Sequence, residues 1–455
     1  MAGVFHSYDI RGIFGKEIDV NFAHKLAIAF CEYMPLQTVV IGHDERIGSD
    51  ILAKTLADSF AQQQVQVIDI GLCTTPMVWF AVNEHKTDGG VMVTASHNPK
   101  EFVGFKLCKK FAIPIGYESG LSEIEKRMDS ILVNAQTRVS QIEHAEQEHF
   151  RSFAQSLIPY VTDEEQIRVI ADCSNSAVAP ILVSLFMGTR HELTLLNEIP
   201  DGNFPAHEPN PLIEITTTEL SKRVIEEKAD FGIIFDGDAD RVVFVDEDGT
   251  RIRPDFIIAL LAQQLLFRKL TGKKHPQTPI ILADLRVSKV VEESIVENGG
   301  QLFLTKVGRP YIISQLRATH GLLGGETSGH YYFHDFFCCD DGVRTLLEMM
   351  ALIANKQQKL SELVSDLQRY VESGETSLVV RDAQSVLSAV KQSYDSRKPQ
   401  KISELDGISV YFDTFWFNLH VSNTESLLRV NMEANDKATL EREFAALLAI
   451  VKQYM

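Results

Sequence analysis

Phe231-Gly232-Ile233-Ile234-Phe235-Asp236-Gly237-Asp238-Ala239-Asp240-Arg241-Val242-Val243-Phe244-Val245 is the stretch whose reading decides the fold. Three carboxylates stand at alternate positions between two apolar runs. One reading is an EF-hand calcium loop, since Glu247 stands twelfth from Asp236. Against it, position six holds Arg241 where that loop needs glycine. The flanks are rich in Val, Ile and Phe, which favour strands where an EF-hand needs helices. The stretch therefore reads as strand, acidic loop, strand. Alternating carboxylates make a hard-oxygen site suited to Mg²⁺ that leaves room for a phosphate oxygen. Arg241 is placed to neutralise such a phosphate.

Outward from this loop, strand-like runs alternate with helical patterns, the signature of α/β layers. The spacing predicts strands over 38–41, 65–70 and 90–94 with a helix over 49–63. A polar helical stretch follows over 119–156. The next block repeats the rhythm, with strands over 167–171, 193–196, 231–235 and 242–245 and helices over 177–187 and 216–227. The third predicts helices over 255–270 and 288–298, strands over 280–283 and 301–304, and a long helix from about 341. The last block differs. Strands over 376–380, 408–412, 416–421 and 428–433 suggest an antiparallel sheet covered by helices over 383–394 and 437–453. In open α/β sheets, loops at the carboxyl ends of strands line the ligand crevice. Each block puts its chemically loaded loop there, including Thr94-Ala95-Ser96-His97-Asn98-Pro99.

Composition narrows the class. At 455 residues the chain exceeds a single ordinary core. Hydrophobic content of 45% and charged content of 23% are those of a globular protein. A net charge of -18 argues against nucleic-acid or anionic-membrane partners. The six cysteines are scattered without a C-x-x-C pair, so reduced thiols are expected. Residues 1–11 lack an apolar signal core, and no run of about 20 apolar residues occurs. The expectation is a cytoplasmic protein with no membrane partner.

Several motifs together carry a resemblance. They are the Ser96 loop with Phe102-Val103-Gly104-Phe105-Lys106, the aspartate loop, Gly325-Glu326-Thr327-Ser328-Gly329-His330, and Ser422-Asn423-Thr424-Glu425. Smaller matches are Tyr8-Asp9-Ile10-Arg11-Gly12, Gly42-His43-Asp44-Glu45-Arg46, the H-x-P-N-P element at His207 to Pro211, and Lys306-Val307-Gly308-Arg309. In this order, from about residue 5 to 450, the chain resembles the α-D-phosphohexomutases, most closely their bacterial phosphomannomutase/phosphoglucomutase branch.

The resemblance implies three similar mixed α/β domains (1–153, 154–253, 254–368) and a C-terminal α+β domain (369–455) around a central cleft. By the same resemblance Ser96 is the phosphorylated residue and joins Asp236, Asp238 and Asp240 at one Mg²⁺. Lys106, Arg11, Arg241 and the proton-shuttling His330 complete the catalytic set. Glu326 and Ser328 read the sugar, with Arg286, Lys306 and Arg309 as further substrate contacts. Ser422, Asn423, Thr424 and Arg429 grip the distal phosphate beside His420. This chain departs from its relatives in having His420 for a usual Arg and Ser426 for a usual Pro, and Met is commoner where Thr327 stands. A bidentate Arg binds phosphate better than His, and losing Pro loosens a loop. The implied activity interconverts mannose 6-phosphate and mannose 1-phosphate, with the glucose phosphates as a second pair. A hexose 1,6-bisphosphate serves as activator, and a monomer or weak homodimer is expected.

Overall fold

The computed structural model describes residues 3–131, 142–163, 165–271, 278–421 and 427–455. Its strands form four sheets in chain order. The first runs Ile10–Ile13, Phe102–Lys109, Gly89–Val93, Thr38–His43, Gln66–Leu72 and Ile142–His144, with Ile113–Pro114 paired to Phe102–Lys109. The second is Val242–Asp246, Phe231–Phe235, Arg168–Asp172 and Glu192–Leu196. The third is Gln301–Thr305, Ile280–Asp284, Leu323–Gly325, Tyr331–Phe333 and Cys339–Asp340. The fourth pairs its strands antiparallel throughout, around Phe415–Val421 and Leu428–Ala434.

One device recurs. In the first three sheets a parallel strand ends, a chemically loaded loop turns, and the chain returns antiparallel beside it. Register pairs Val93 with Phe105, Phe235 with Val242, and Gly325 with Tyr331. The fourth sheet has no parallel strand, but it too pairs the strands on either side of its motif antiparallel, Val421 with Leu428. Every residue of Gly89–Val93, Phe231–Phe235 and Val242–Asp246 is buried. Strands covered on both faces read as continuous apolar runs rather than alternating ones, which is how the sequence presented them.

Four regions differ from expectation. The polar stretch 119–156 is not one helix: it divides into Ser122–Met128, the strand Ile142–His144 and Glu146–Leu157. That strand pairs with Gln66–Leu72 and covers backbone groups that would otherwise form an open sheet edge. Helices Val20–Tyr33, Thr75–Glu84 and Arg309–Thr319 lie where no helix was expected. Thr75–Glu84 buries Met77, Val78, Trp79, Ala81 and Val82 on several faces, so it has no amphipathic stripe to read. Val20–Tyr33 did carry a signal, because the Asp19 carboxylate caps it by accepting from Phe22 N.

Candidate active site

The strand Gly89–Val93 delivers Ser96 into a loop whose carbonyls are gathered from behind. Arg46, only 2% exposed, donates to the carbonyl oxygens of Ser96 and Asn98 at 2.6 Å each, Pro99 at 2.9 Å and Phe102 at 3.0 Å. Arg11 donates to Ala95 O at 3.1 Å and pairs with Asp9 at 2.7 Å. Ser96 itself adopts φ 53°, in the left-handed region. Its amide donates to Thr94 Oγ1, and its hydroxyl donates to Asp236 Oδ2 at 2.8 Å. The loop thus turns its oxygens to Arg46 and its nucleophile to the aspartates.

The two loops touch because of glycine. A Cβ on Gly237 would lie 2.6 Å from Ser96 O, closer than any real side chain comes. Asp236, Asp238 and Asp240 are buried, and their carboxylate oxygens lie within 4.8 Å of one another. Burial, then the charges of Asp238 and Asp240, push the Asp236 carboxyl well above its usual range. Asp240 meets the same burial, but the Lys106 ammonium and then His330 hold it well below. Lys106 Nζ reaches Asp238 at 2.6 Å and Asp240 at 2.5 Å. The Thr75 hydroxyl donates to Asp238 Oδ2, while Asp238 Oδ1 accepts no hydrogen bond among the described residues. An orphaned buried carboxylate oxygen in a three-carboxylate cluster fits a hard divalent cation.

The sugar-loop motif joins directly. Val242 N donates to Gly329 O, and Arg241 forms an isolated bridge with His330. Burial and Arg241 oppose a charge on His330, yet Asp240 at 3.3 Å and Glu326 at 3.2 Å raise its pKa to about 9. Glu326 also accepts from Tyr332 OH at 2.6 Å and from Gly308 N at 2.9 Å. Ser328 Oγ lies 2.8 Å from His330 Nδ1. Arg309 stacks on Trp79 at 4.2 Å and pairs with Asp340 at 3.0 Å. Arg286 is gripped by Asp284 at 2.9 Å and reaches Glu375 at 3.3 Å, while Arg429 pairs with Glu375 at 3.0 Å.

These groups surround one cleft of about 940 Å³. Ser96, Lys106, Asp240, Arg241, Glu326, Ser328 and His330 line it, as do Arg11, Arg286, Arg309 and Arg429. Asp236 and Asp238 stand behind Ser96 and Lys106. Lys306 holds its ammonium 5.5 Å above the Tyr311 ring. His420 is 3% exposed, with Nδ1 2.9 Å from Asn418 Oδ1, and is not among the lining residues. Ser422, Asn423, Thr424 and Ser426 lie outside the described residues. In a chain of net charge -18, this lining gathers seven arginines and Lys106 among seven carboxylates, so guanidinium donors suited to a phosphorylated ligand are concentrated there while the lining as a whole stays close to neutral.

Comparison with known proteins agrees with this geometry. Family models for the α/β/α domains I, II and III of phosphoglucomutase/phosphomannomutase match residues 2–134, 147–249 and 253–370. The chain belongs to that family. A phosphomannomutase of Salmonella typhimurium is 33% identical, over 99% of both chains. One of Methanocaldococcus jannaschii is 32% identical over 97% of this chain and 95% of its own. A phosphoglucomutase/phosphomannomutase family protein of Burkholderia thailandensis superposes with a TM-score of 0.89 at 26% identity, covering 99% of this chain and 97% of that one.

Within the family's motifs, sequence reasoning missed some supporting parts. Arg46 was visible only as the end of a G-x-D-x-R run, and its four carbonyl partners lie 50 to 56 residues away. Arg251, Arg253 and Trp416 also line the cleft. Alternation in Arg251-Ile252-Arg253, just after the strand Val242–Asp246, was a usable signal for the first two.

Proposed function

We propose that this phosphohexomutase is a phosphomannomutase, moving a phosphoryl group between O1 and O6 of mannose through phospho-Ser96. The observation that carries the reading is Ser96 Oγ, hydrogen-bonded to a buried three-aspartate cluster at the edge of an arginine-lined cleft. In the forward half-reaction the Oγ–P bond breaks as a sugar hydroxyl oxygen bonds to phosphorus, giving a hexose 1,6-bisphosphate. That molecule turns end for end and returns its other phosphoryl group to Ser96. Such transfers depend mainly on placement and charge neutralisation. Arg46 fixes the serine loop, Arg11 holds its neighbouring carbonyl and Lys106 balances Asp238 and Asp240. His330, raised to about 9, is charged at neutral pH and donates a proton to the departing sugar oxygen of the returning bisphosphate; in its deprotonated form the same imidazole takes the proton of the attacking sugar hydroxyl in the forward half-reaction. Glu326 and Ser328 face the sugar hydroxyls, while Arg286, Arg309 and Arg429 are available to the non-reacting phosphate, with the 422–424 loop.

Asp236, Asp238 and Asp240 are the residues that would hold Mg²⁺, which would supply charge neutralisation at the transferring phosphoryl oxygens. The division 1–153, 154–253, 254–368 and 369–455 is supported by one sheet falling in each interval. A cytoplasmic location agrees with six free cysteines. Sugar-phosphate interconversion there would feed GDP-mannose synthesis. The test is phosphorus NMR with mannose 1-phosphate, Mg²⁺ and a trace of glucose 1,6-bisphosphate. The expected result is conversion to mannose 6-phosphate that disappears in Ser96→Ala; free phosphate or an unchanged signal refutes the reading. Glucose 1-phosphate run in parallel sets the sugar preference.

A further inference from the structure

A second cluster of metal-ligand types lies away from the cleft, where helix Thr75–Glu84 packs on helix Glu146–Leu157. Glu84 ends the first helix, His85 caps it, and His149 sits on the second. One ligand atom from each falls within a 4.8 Å group. The His149 side chain is fully buried, and its Nε2 lies 3.0 Å from Met77 O. A carbonyl can only accept, so Nε2 carries a proton. In the neutral ring Nδ1 is then a bare lone pair, and it faces Glu84 Oε2 at 3.2 Å. Two electron-rich atoms at that separation repel unless a proton or a cation lies between them. His85 adds Nε2 at 3.9 Å from the same Glu84 oxygen. The Ser152 hydroxyl occupies the other one, Oε1.

We propose that Glu84, His85 and His149 form a second metal site, distinct from the aspartate loop, for a borderline divalent cation such as Zn²⁺ with water as its fourth ligand. Two imidazoles and one carboxylate are a donor set for zinc rather than magnesium. Tetrahedral ligands at zinc distances stand about 3.4 Å apart, and the separations of 3.2 and 3.9 Å here bracket that value. The His149 Nε2–H bond to Met77 O is the outer-shell contact that fixes a metal-binding tautomer, and Ser152 orients the carboxylate likewise. Bound there, the ion pins the far end of a helix whose first residue, Thr75, donates to Asp238 and whose Trp79 supports Arg309. The site therefore acts as a brace behind the catalytic cleft.

The test strips the full-length protein with EDTA, restores millimolar Mg²⁺ to saturate the aspartate loop, and titrates Zn²⁺ against a chromophoric indicator. Melting temperature is followed in parallel. The expected result is one equivalent of Zn²⁺ taken up with a rise in Tm, both abolished in His85→Ala and His149→Gln and retained in Asp238→Asn. Because His149 is buried and its variant can fail to fold, the solvent-facing His85→Ala decides the matter on its own. Absence of uptake, uptake unchanged in His85→Ala, or uptake lost in Asp238→Asn overturns the proposal. The first of these results assigns the His149–Glu84 contact to a simple ion pair, and the last puts the cation at the aspartates.

Discussion

One apolar cluster runs from Val40 to Leu367 and threads the first three sheets, whereas the C-terminal sheet keeps a cluster of its own from Val386 to Val451. The seam between the two regions is polar instead. Glu372 pairs with Arg253 at 2.8 Å and Glu375 with Arg286 at 3.3 Å. Glu433 accepts from Lys289 N at 3.0 Å and Asp406 from Val307 N at 3.1 Å. In each of these contacts the carboxylate comes from the fourth unit. The difference teaches a division of labour: hydrophobic burial fixes the Ser96, aspartate and Glu326 loops relative to one another, while exchangeable polar contacts hold the C-terminal unit. Polar interfaces within a chain are the ones that permit domain motion, which an intermediate that must turn around requires.

The largest test of that division removes residues 371–455. The remaining chain should still unfold cooperatively, while kcat/KM falls at least ~10³-fold, or about 4 kcal/mol; loss of the cooperative transition would erase the contrast. Next come two core truncations, Leu260→Ala and Phe417→Ala, at fully buried positions in the separate clusters. Each should cost roughly 2–5 kcal/mol, and calorimetry should show each moving a different transition. A common shift would mean that the seam couples the units more tightly than its chemistry suggests. The smallest effect is expected of Glu375→Gln. Stability should change by less than ~1 kcal/mol, as for other partly exposed ion pairs. KM for the sugar phosphate should fall about threefold, because Arg286 and Arg429 lose a competing carboxylate.

Much of this organisation was legible in the chain. Alternating aspartates between two Val- and Phe-rich runs marked a metal site by their spacing, whereas the Ser-His-Asn-Pro loop took its role only from the family resemblance. Strands buried on both faces announced themselves as unbroken apolar runs. Long-range partners did not. Nothing near Arg46 indicates that it closes on the Ser96 loop, and nothing near Trp79 indicates a platform for Arg309. Helix Thr75–Glu84 was hidden for a related reason, since burial on several faces erases the period that marks a helix. His420, expected at the phosphate from its motif position, is buried with Nδ1 2.9 Å from Asn418 Oδ1, an intrastrand partner that the motif does not announce.

The left-handed backbone at Ser96 limits what can be exchanged there. Serine and threonine are commonly interchangeable as carriers of a phosphate. A β-branched residue at φ near 53° is a conformational outlier, whereas Asn and Asp visit that region with little strain. Ser96→Thr should therefore destabilise the fold more than Ser96→Asn, by about 1 kcal/mol or more, even though only threonine keeps the hydroxyl. Thermal denaturation of the two variants side by side measures this directly. For this loop the backbone angle, more than the reactive group, restricts which amino acid can serve.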